Sequence, residues 1–229
     1  MTRCTTSAAL VALAGLSGLA SATITGFSYS ASLWGASDAG LGIEGHTIED
    51  FEDASLAPGF RVAITSSIGN LAPTSILPGL MNAVADPFGT AFVDSNWDGS
   101  RVLINTYDNQ SKYYYTPGNW GNLTMYFDTP VNSIGFSVQQ MQRTATNHII
   151  INGIDRGDML NFLGLSATGL RNGYARIYSF DETIQSVTLT STYGDGWAVD
   201  HVAFGVIPAP ASAMVGVLGL GFMGRRRRL

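Results

Sequence analysis

The chain has 229 residues, with 17 acidic and 12 basic side chains, a formal charge of −5, and 45% hydrophobic residues. The shortage of cations argues against nucleic acid, whose phosphates demand Lys and Arg. One cysteine, Cys4, leaves neither a disulfide framework nor a thiolate metal cage available.

Arg3 opens the chain, an apolar segment follows from Ala8 to Leu19, and Ala20-Ser21-Ala22 ends it. A basic start, an apolar centre and a small-x-small site predict a secretory signal peptide over residues 1–22, with Ala20 and Ala22 read by signal peptidase. Cys4 lies inside that segment and lacks the preceding apolar residues of a lipoprotein site.

Residues 23–205 are expected to form one domain, a size sufficient for a single core. Short runs rich in Val, Ile, Thr, Tyr and Phe, separated by Gly, Asn and Asp, predict strands at Ile24–Leu33, Arg61–Ser66, Thr90–Val93, Val102–Tyr107 and Leu123–Phe127. Others follow at Ser133–Gln139, His148–Ile151, Tyr174–Ser179, Ser186–Ser191 and Ala198–Phe204. In Ser133–Gln139 the apolar Ile134, Phe136 and Val138 alternate with Ser133, Gly135 and Ser137, the pattern of a half-buried strand. Asp128-Thr129-Pro130 reads as a tight connection after Phe127. A short helical piece is expected near Ser75–Val84, and another turn at Asp158–Leu163. Many strands without βαβ alternation predict an all-β fold, a single β-sandwich of jelly-roll type.

Two acidic stretches stand out. Glu49-Asp50-Phe51-Glu52-Asp53 crowds carboxylates near the start of the domain, and Asp200 lies in the final strand. Strict alternation would put Asp200 on the face of Val202 and Phe204, where a carboxylate needs a partner or a cation. This arrangement resembles the calcium-stabilised jelly rolls of galactose-binding-like and carbohydrate-binding modules. The resemblance implies Glu52 and Asp200 as ligands of a structural calcium, with backbone carbonyls completing an oxygen shell. The plainer alternatives for Asp200 are a strand mouth in water, or a pair with Arg61 or His201. Asp94-Ser95-Asn96-Trp97-Asp98-Gly99 matches the first half of an EF-hand loop, but the closing position is Asn105. A hairpin turn at Asp98-Gly99 is the simpler reading, with Asp94, Asn96 and Asp98 as a weak alternative calcium site.

Aromatic residues gather at Tyr113-Tyr114-Tyr115 and Trp120, and again at Tyr193 and Trp197. Rings beside Gly/Asn loops suit stacking on sugar faces, which makes Tyr113, Tyr115, Trp120 and Trp197 candidate carbohydrate contacts; burial in a core is the alternative for each. Nucleophile, zinc-protease, Walker and dinucleotide motifs are absent, and His46, His148 and His201 show no ligand spacing. No catalytic residue is assigned.

The C-terminal stretch, residues 206–229, says most about destination. Pro208-Ala209-Pro210-Ala211-Ser212 leads into an apolar run from Ala211 to Gly224, 14 residues long, closed by Arg225, Arg226, Arg227 and Arg228. As a helix the run spans about 21 Å, and a start at Val206 with snorkelling arginines brings a roughly 30 Å bilayer core within reach. Terminal arginines favour the cytoplasmic side. The pattern of prolines, short apolar helix and arginine cluster resembles the PEP-CTERM sorting domain of exported bacterial proteins, with Ala209 where the family has glutamate. The resemblance covers only residues 206–229 and implies an exosortase-type sorting enzyme, transient inner-membrane anchoring, and delivery to the cell surface or extracellular matrix. Removal of both ends, with Arg3 and Arg225 to Arg228, takes away five basic side chains and no acidic one, moving the formal charge from −5 to −10. The expectation is a non-enzymatic surface or matrix sandwich that binds extracellular polysaccharide with calcium as structural support. A secreted polysaccharide hydrolase and a purely structural coat protein are the rivals.

Overall fold

Alternating apolar residues in short runs leave each strand one greasy face, and only a second sheet can cover it. The computed structural model describes residues 23–30, 38–66, 69–77, 84–85, 101–105, 121–139, 147–164, 173–191 and 197–208. In chain order the elements are β1 (Thr25–Ser30), α1 (Asp38–Leu41), β2 (Thr47–Glu49), β3 (Phe60–Thr65), β4 (Asn70–Thr74), β5 (Val84–Ala85) and β6 (Arg101–Ile104). They continue with β7 (Asn122–Val131), β8 (Ser133–Gln139), β9 (His148–Ile151), β10 (Ile154–Asp158), α2 (Met159–Phe162), β11 (Gly173–Tyr178), β12 (Ile184–Leu189) and β13 (Ala198–Gly205). The all-β expectation therefore holds. Residues 1–22, expected to be a signal peptide, lie outside the described residues, as do the strand expected at Thr90–Val93 and residues 209–229 of the expected sorting segment.

Two antiparallel sheets share the core. The first runs β1-β11-β8-β13-β6-β5, with β2 also paired to β13; the second runs β10-β9-β12-β7-β3-β4. From β7 onward the chain passes from sheet to sheet, with only the β9–β10 hairpin formed inside one sheet. Between the sheets Phe60 of β3, Phe127 of β7 and Phe204 of β13 meet with ring centroids 5.3 to 5.7 Å apart. Phe51 joins them, 6.4 Å from Phe60. Each buried ring contributes about 1.5–3 kcal/mol through area removed from water, and ring pairs add roughly 0.5–1.5 kcal/mol.

The second sheet has the half-buried alternation read from the sequence, as in β3, β9 and β12. The first does not. Ser133, Gly135 and Ser137 of β8, expected on an open face, are buried along with Ile134, Phe136 and Val138. Residues 38–49 account for this: Leu41 and Ile43 pack with Tyr174 and Ala203, with Ile48 against them, in a second apolar cluster. Gly135 is required there, because a Cβ would lie 2.4 Å from the Tyr174 hydroxyl.

Two local expectations fail for identifiable reasons and a third holds; of the helical piece expected at Ser75–Val84, residues 78–83 lie outside the described residues. Ser75–Leu77 is not helical; Ile76 forms a bridge with Ser55, and Val84 belongs to a strand. Asp128-Thr129-Pro130 is no turn, since β7 continues to Val131. A register shift against β12, between Ile184 and Ser186, leaves Pro130 where no ladder donor is needed. The turn at Asp158–Leu163 is α2, capped by the Asp158 side chain accepting from the Asn161 N–H at 2.8 Å.

Phe60→Ala is expected to cost about 3–5 kcal/mol of folding stability in urea titration, whereas Phe180→Ala, at a ring 44% exposed, should cost under about 1 kcal/mol. Equal losses would contradict the assignment of the inter-sheet rings.

Candidate functional site

β13 lies inside the first sheet and borders β8 along one side. Its other side is divided: Ala198 and Val199 face β6, while Val202 to Phe204 face β2. The change of neighbour falls at Asp200 and His201. There the register against β8 slips by one residue, and His201 takes a φ of +46°. This is a β-bulge.

The bulge corrects the expected placing of Asp200. Trp197 and Val199 before it belong to the main core, as do Val202 and Phe204 after it. One extra residue has changed the phase, so Asp200 does not share a stripe with Val202 and Phe204. Backbone groups of the bulge are bonded locally. The Asp200 Oδ1 accepts from the His201 N–H at 2.7 Å, the Ser137 hydroxyl donates to the Asp200 carbonyl at 3.1 Å, and the Tyr174 hydroxyl donates to the His201 carbonyl at 3.3 Å. His201 Nε2 faces Asp38 Oδ1 of α1 at 3.6 Å. Of the alternatives for Asp200, the His201 partnership is present through its backbone, and Arg61 is instead paired with Asp128 at 2.7 Å.

The acidic stretch leaves β2 beside this bulge. Glu49 is buried and works as a loop clasp, its two oxygens accepting from the N–H groups of Phe51 at 2.7 Å and Ala57 at 2.5 Å. That grip holds Phe51, a non-glycine residue at φ +55°, in the core. Asp50 accepts from the Glu52 N–H at 3.1 Å, and Asp53 from the Ser55 N–H at 2.6 Å. The carboxylate run is thus largely loop architecture, a role its composition did not reveal.

Electrostatics single out Asp200. Burial pushes its carboxyl up to about 8, opposed by the His201 N–H and reinforced by the charges of Glu52, Asp50 and Glu49. Burial also raises Glu49 against its two hydrogen bonds, and lowers His46 and His201. Asp200 and Glu52, expected to share an ion, are therefore electrostatic neighbours. Their carboxylate oxygens suit calcium chemically. Among the described residues, however, no three Asp, Glu, His or Cys side chains converge closely enough to hold a metal, and the Asp200 carbonyl is already engaged by Ser137.

Asp94, Asn96 and Asp98, and the aromatic candidates Tyr113, Tyr115 and Trp120, lie outside the described residues. Asn105, the would-be closing position of the EF-hand pattern, is fully buried. Its side chain accepts from the Trp197 N–H and donates to the Gly121 carbonyl, each at 3.1 Å. Trp197, read as an exposed sugar platform, is fully buried in the main core; its ring packs between the sheets and offers no face to a ligand. Pro208 is exposed, and Pro210 and Arg225 to Arg228 lie beyond the described residues. His148 Nδ1 meets Asp155 Oδ2 at 2.7 Å across the β9–β10 hairpin, a surface pair.

No protein-family model matches this chain, and neither curated proteins nor solved structures yield a match.

Asp200 sets a pH dependence whose sign can be worked out. Its folded-state pKa lies above the ordinary value of 3.8, so its contribution is complete below about pH 4 and is lost as pH rises through about 8. The histidines act oppositely, losing stability only as pH falls below their ordinary 6.5. Between about pH 6.5 and 8.5 the melting temperature should therefore fall, and Asp200→Asn should flatten that decline. Thermal melts in EDTA at three pH values check this; equal slopes in both proteins would refute it.

Proposed function

We propose that this chain is an exported, non-enzymatic β-sandwich protein of the cell surface or extracellular matrix, handled by signal peptidase and by an exosortase-type enzyme. The observation that carries the reading is where the folded body closes. The β13 ladder ends at Gly205, and Asn132 clasps Ile207. The proline lead-in, apolar run and Arg225–Arg228 follow directly in the sequence. The tail then serves as a separable hook, held in the inner membrane with its arginines in the cytosol while the sandwich is outside. The passage of successive strands between sheets supports the jelly-roll form of the sandwich. Contact with polysaccharide rests on the sequence of the Tyr113–Trp120 segment, since Trp197 is committed to the core.

Calcium at Asp200 and Glu52 is the structural support inferred for this module. A divalent cation would relieve the repulsion that raises the Asp200 carboxyl, with water and loop carbonyls supplying the remaining oxygens. The same raised carboxyl favours one second reading, a polysaccharide hydrolase with Asp200 as general acid.

In producing cells the mature protein should have an intact mass lacking residues 1–22 and Arg225–Arg228. Deletion of residues 211–229 should leave the melting temperature of the sandwich unchanged and abolish its surface delivery. A full-length product retained in the cytosol would defeat the proposal. Adding calcium to weakly buffered protein near pH 7 should release protons and raise the melting temperature, with both effects lost in Asp200→Asn. If that variant instead loses polysaccharide turnover at unchanged stability, the hydrolase reading replaces this one.

A further inference from the structure

Asn132 is the single residue between β7 and β8, at the point where the chain crosses from one sheet to the other. Its side chain grips the exit from the sandwich. The Asn132 Oδ1 accepts from the Ile207 N–H at 2.7 Å, and Nδ2 donates to the Ile207 carbonyl at 3.1 Å. The Asn132 backbone N–H donates to the Gly205 carbonyl at 3.1 Å. One asparagine thus does for Ile207 what a neighbouring strand would do. Val206 is 69% exposed and Pro208 is exposed, so solvent reaches the side chains of this segment while its backbone is engaged.

A peptidase or transpeptidase binds its substrate as an extended strand and needs the backbone groups flanking the bond it cuts. At Gly205 and Ile207 those groups are already in use. The next bond, Ile207–Pro208, carries a proline that has no N–H to offer and a fixed φ. Just inside the clasp, Gly205 pairs with Ser133 and Phe204 is part of the inter-sheet ring cluster. Trimming past Ile207 therefore requires opening of the core itself.

We propose that Asn132 is a built-in stop for proteolytic processing, so that an enzyme removing the C-terminal segment leaves Ile207 on the sandwich. The existence of a processing enzyme rests on the function proposed above; the stop is a property of the fold. Cleavage of a closed segment proceeds through its transiently opened state, so its rate follows the strength of the clasp.

The test uses the full chain. The C-terminal residue is read by intact mass in protein from producing cells and in purified protein treated with proteinase K. Asn132→Ala removes the clasp. Asn132→Asp keeps an oxygen for the Ile207 N–H and lacks the donor to its carbonyl. Wild-type fragments should end at Ile207 or later in both settings, and cleavage before Ile207 should accelerate about tenfold or more in Asn132→Ala, with Asn132→Asp between. A wild-type mature chain ending before Ile207 overturns the proposal without reference to any variant. So does an unchanged cleavage rate in a variant whose melting curve remains cooperative. Should cells leave residues 209–229 attached while the proteinase K limit holds, the sorting reading fails and the stop stands.

Discussion

Contact between the two sheets is the constraint on which the rest of the molecule depends. In a chain that returns directly on itself, local hairpins can hold much of the structure. Here β7, β8, β9, β11, β12 and β13 are each followed or preceded by a strand of the opposite sheet, so few neighbours in sequence are neighbours in a ladder. What brings them together is apolar area, and its centre is the set of rings from Phe51, Phe60, Phe127 and Phe204. No disulfide assists, because the chain has one cysteine.

Repeated crossing between sheets leaves backbone groups at the corners that no ladder satisfies, and asparagine side chains supply much of what is missing. Asn105 links the ends of β6, β7 and β13, and Asn132 holds the chain beyond β13. Asn152 accepts from the N–H groups of Gln185 and Ser186 and donates to the Thr183 carbonyl. For Asn105, whose bonds are buried, this avoids a cost of roughly 1–3 kcal/mol for an unsatisfied buried group; the bonds of Asn132 are part-buried and those of Asn152 exposed. The bulge at Asp200 and His201 follows the same economy, with Ser137 and Tyr174 serving the displaced carbonyls.

Strands whose apolar residues alternate cleanly were legible, and the bounds read for Ser133–Gln139 and His148–Ile151 are those of β8 and β9. β4 and β10 were not, because both are edge strands without apolar alternation: β10 is mostly polar, and β4 is mostly exposed and contains Pro73. The hairpin into β10 did carry a signal that went unused: Asn152-Gly153, with φ of +52° and +79°, is the two-residue turn that such pairs favour. The candidate site was half legible. Partial burial of Asp200 could be argued from an acid in a strand of apolar residues, whereas its proximity to Glu52 came only from the resemblance to calcium-stabilised jelly rolls. The side on which Asp200 lies could not, because the phase change comes from a bulge without the glycine that usually announces one. Burial of Trp197 beside an apolar strand was open to either reading, and the inter-sheet packing decided it. The second apolar layer was hidden for a different reason: residues 38–49 show no alternation, and only their placement against Tyr174 and Ala203 gives Leu41 and Ile43 a purpose.

The position of β13 has a consequence for how the protein is made. The final strand among the described residues lies within the first sheet, bordered by β8 on one side and by β6 and β2 on the other. Until it arrives, the early strands β2 and β6 have no partner across that gap, and Phe60 and Phe127 lack the ring of Phe204. Synthesis runs from the N-terminus, and contacts between distant parts of a chain form slowly. A ribosome-bound chain therefore cannot complete the first sheet ahead of schedule, and closure of the core waits for residues 198–205.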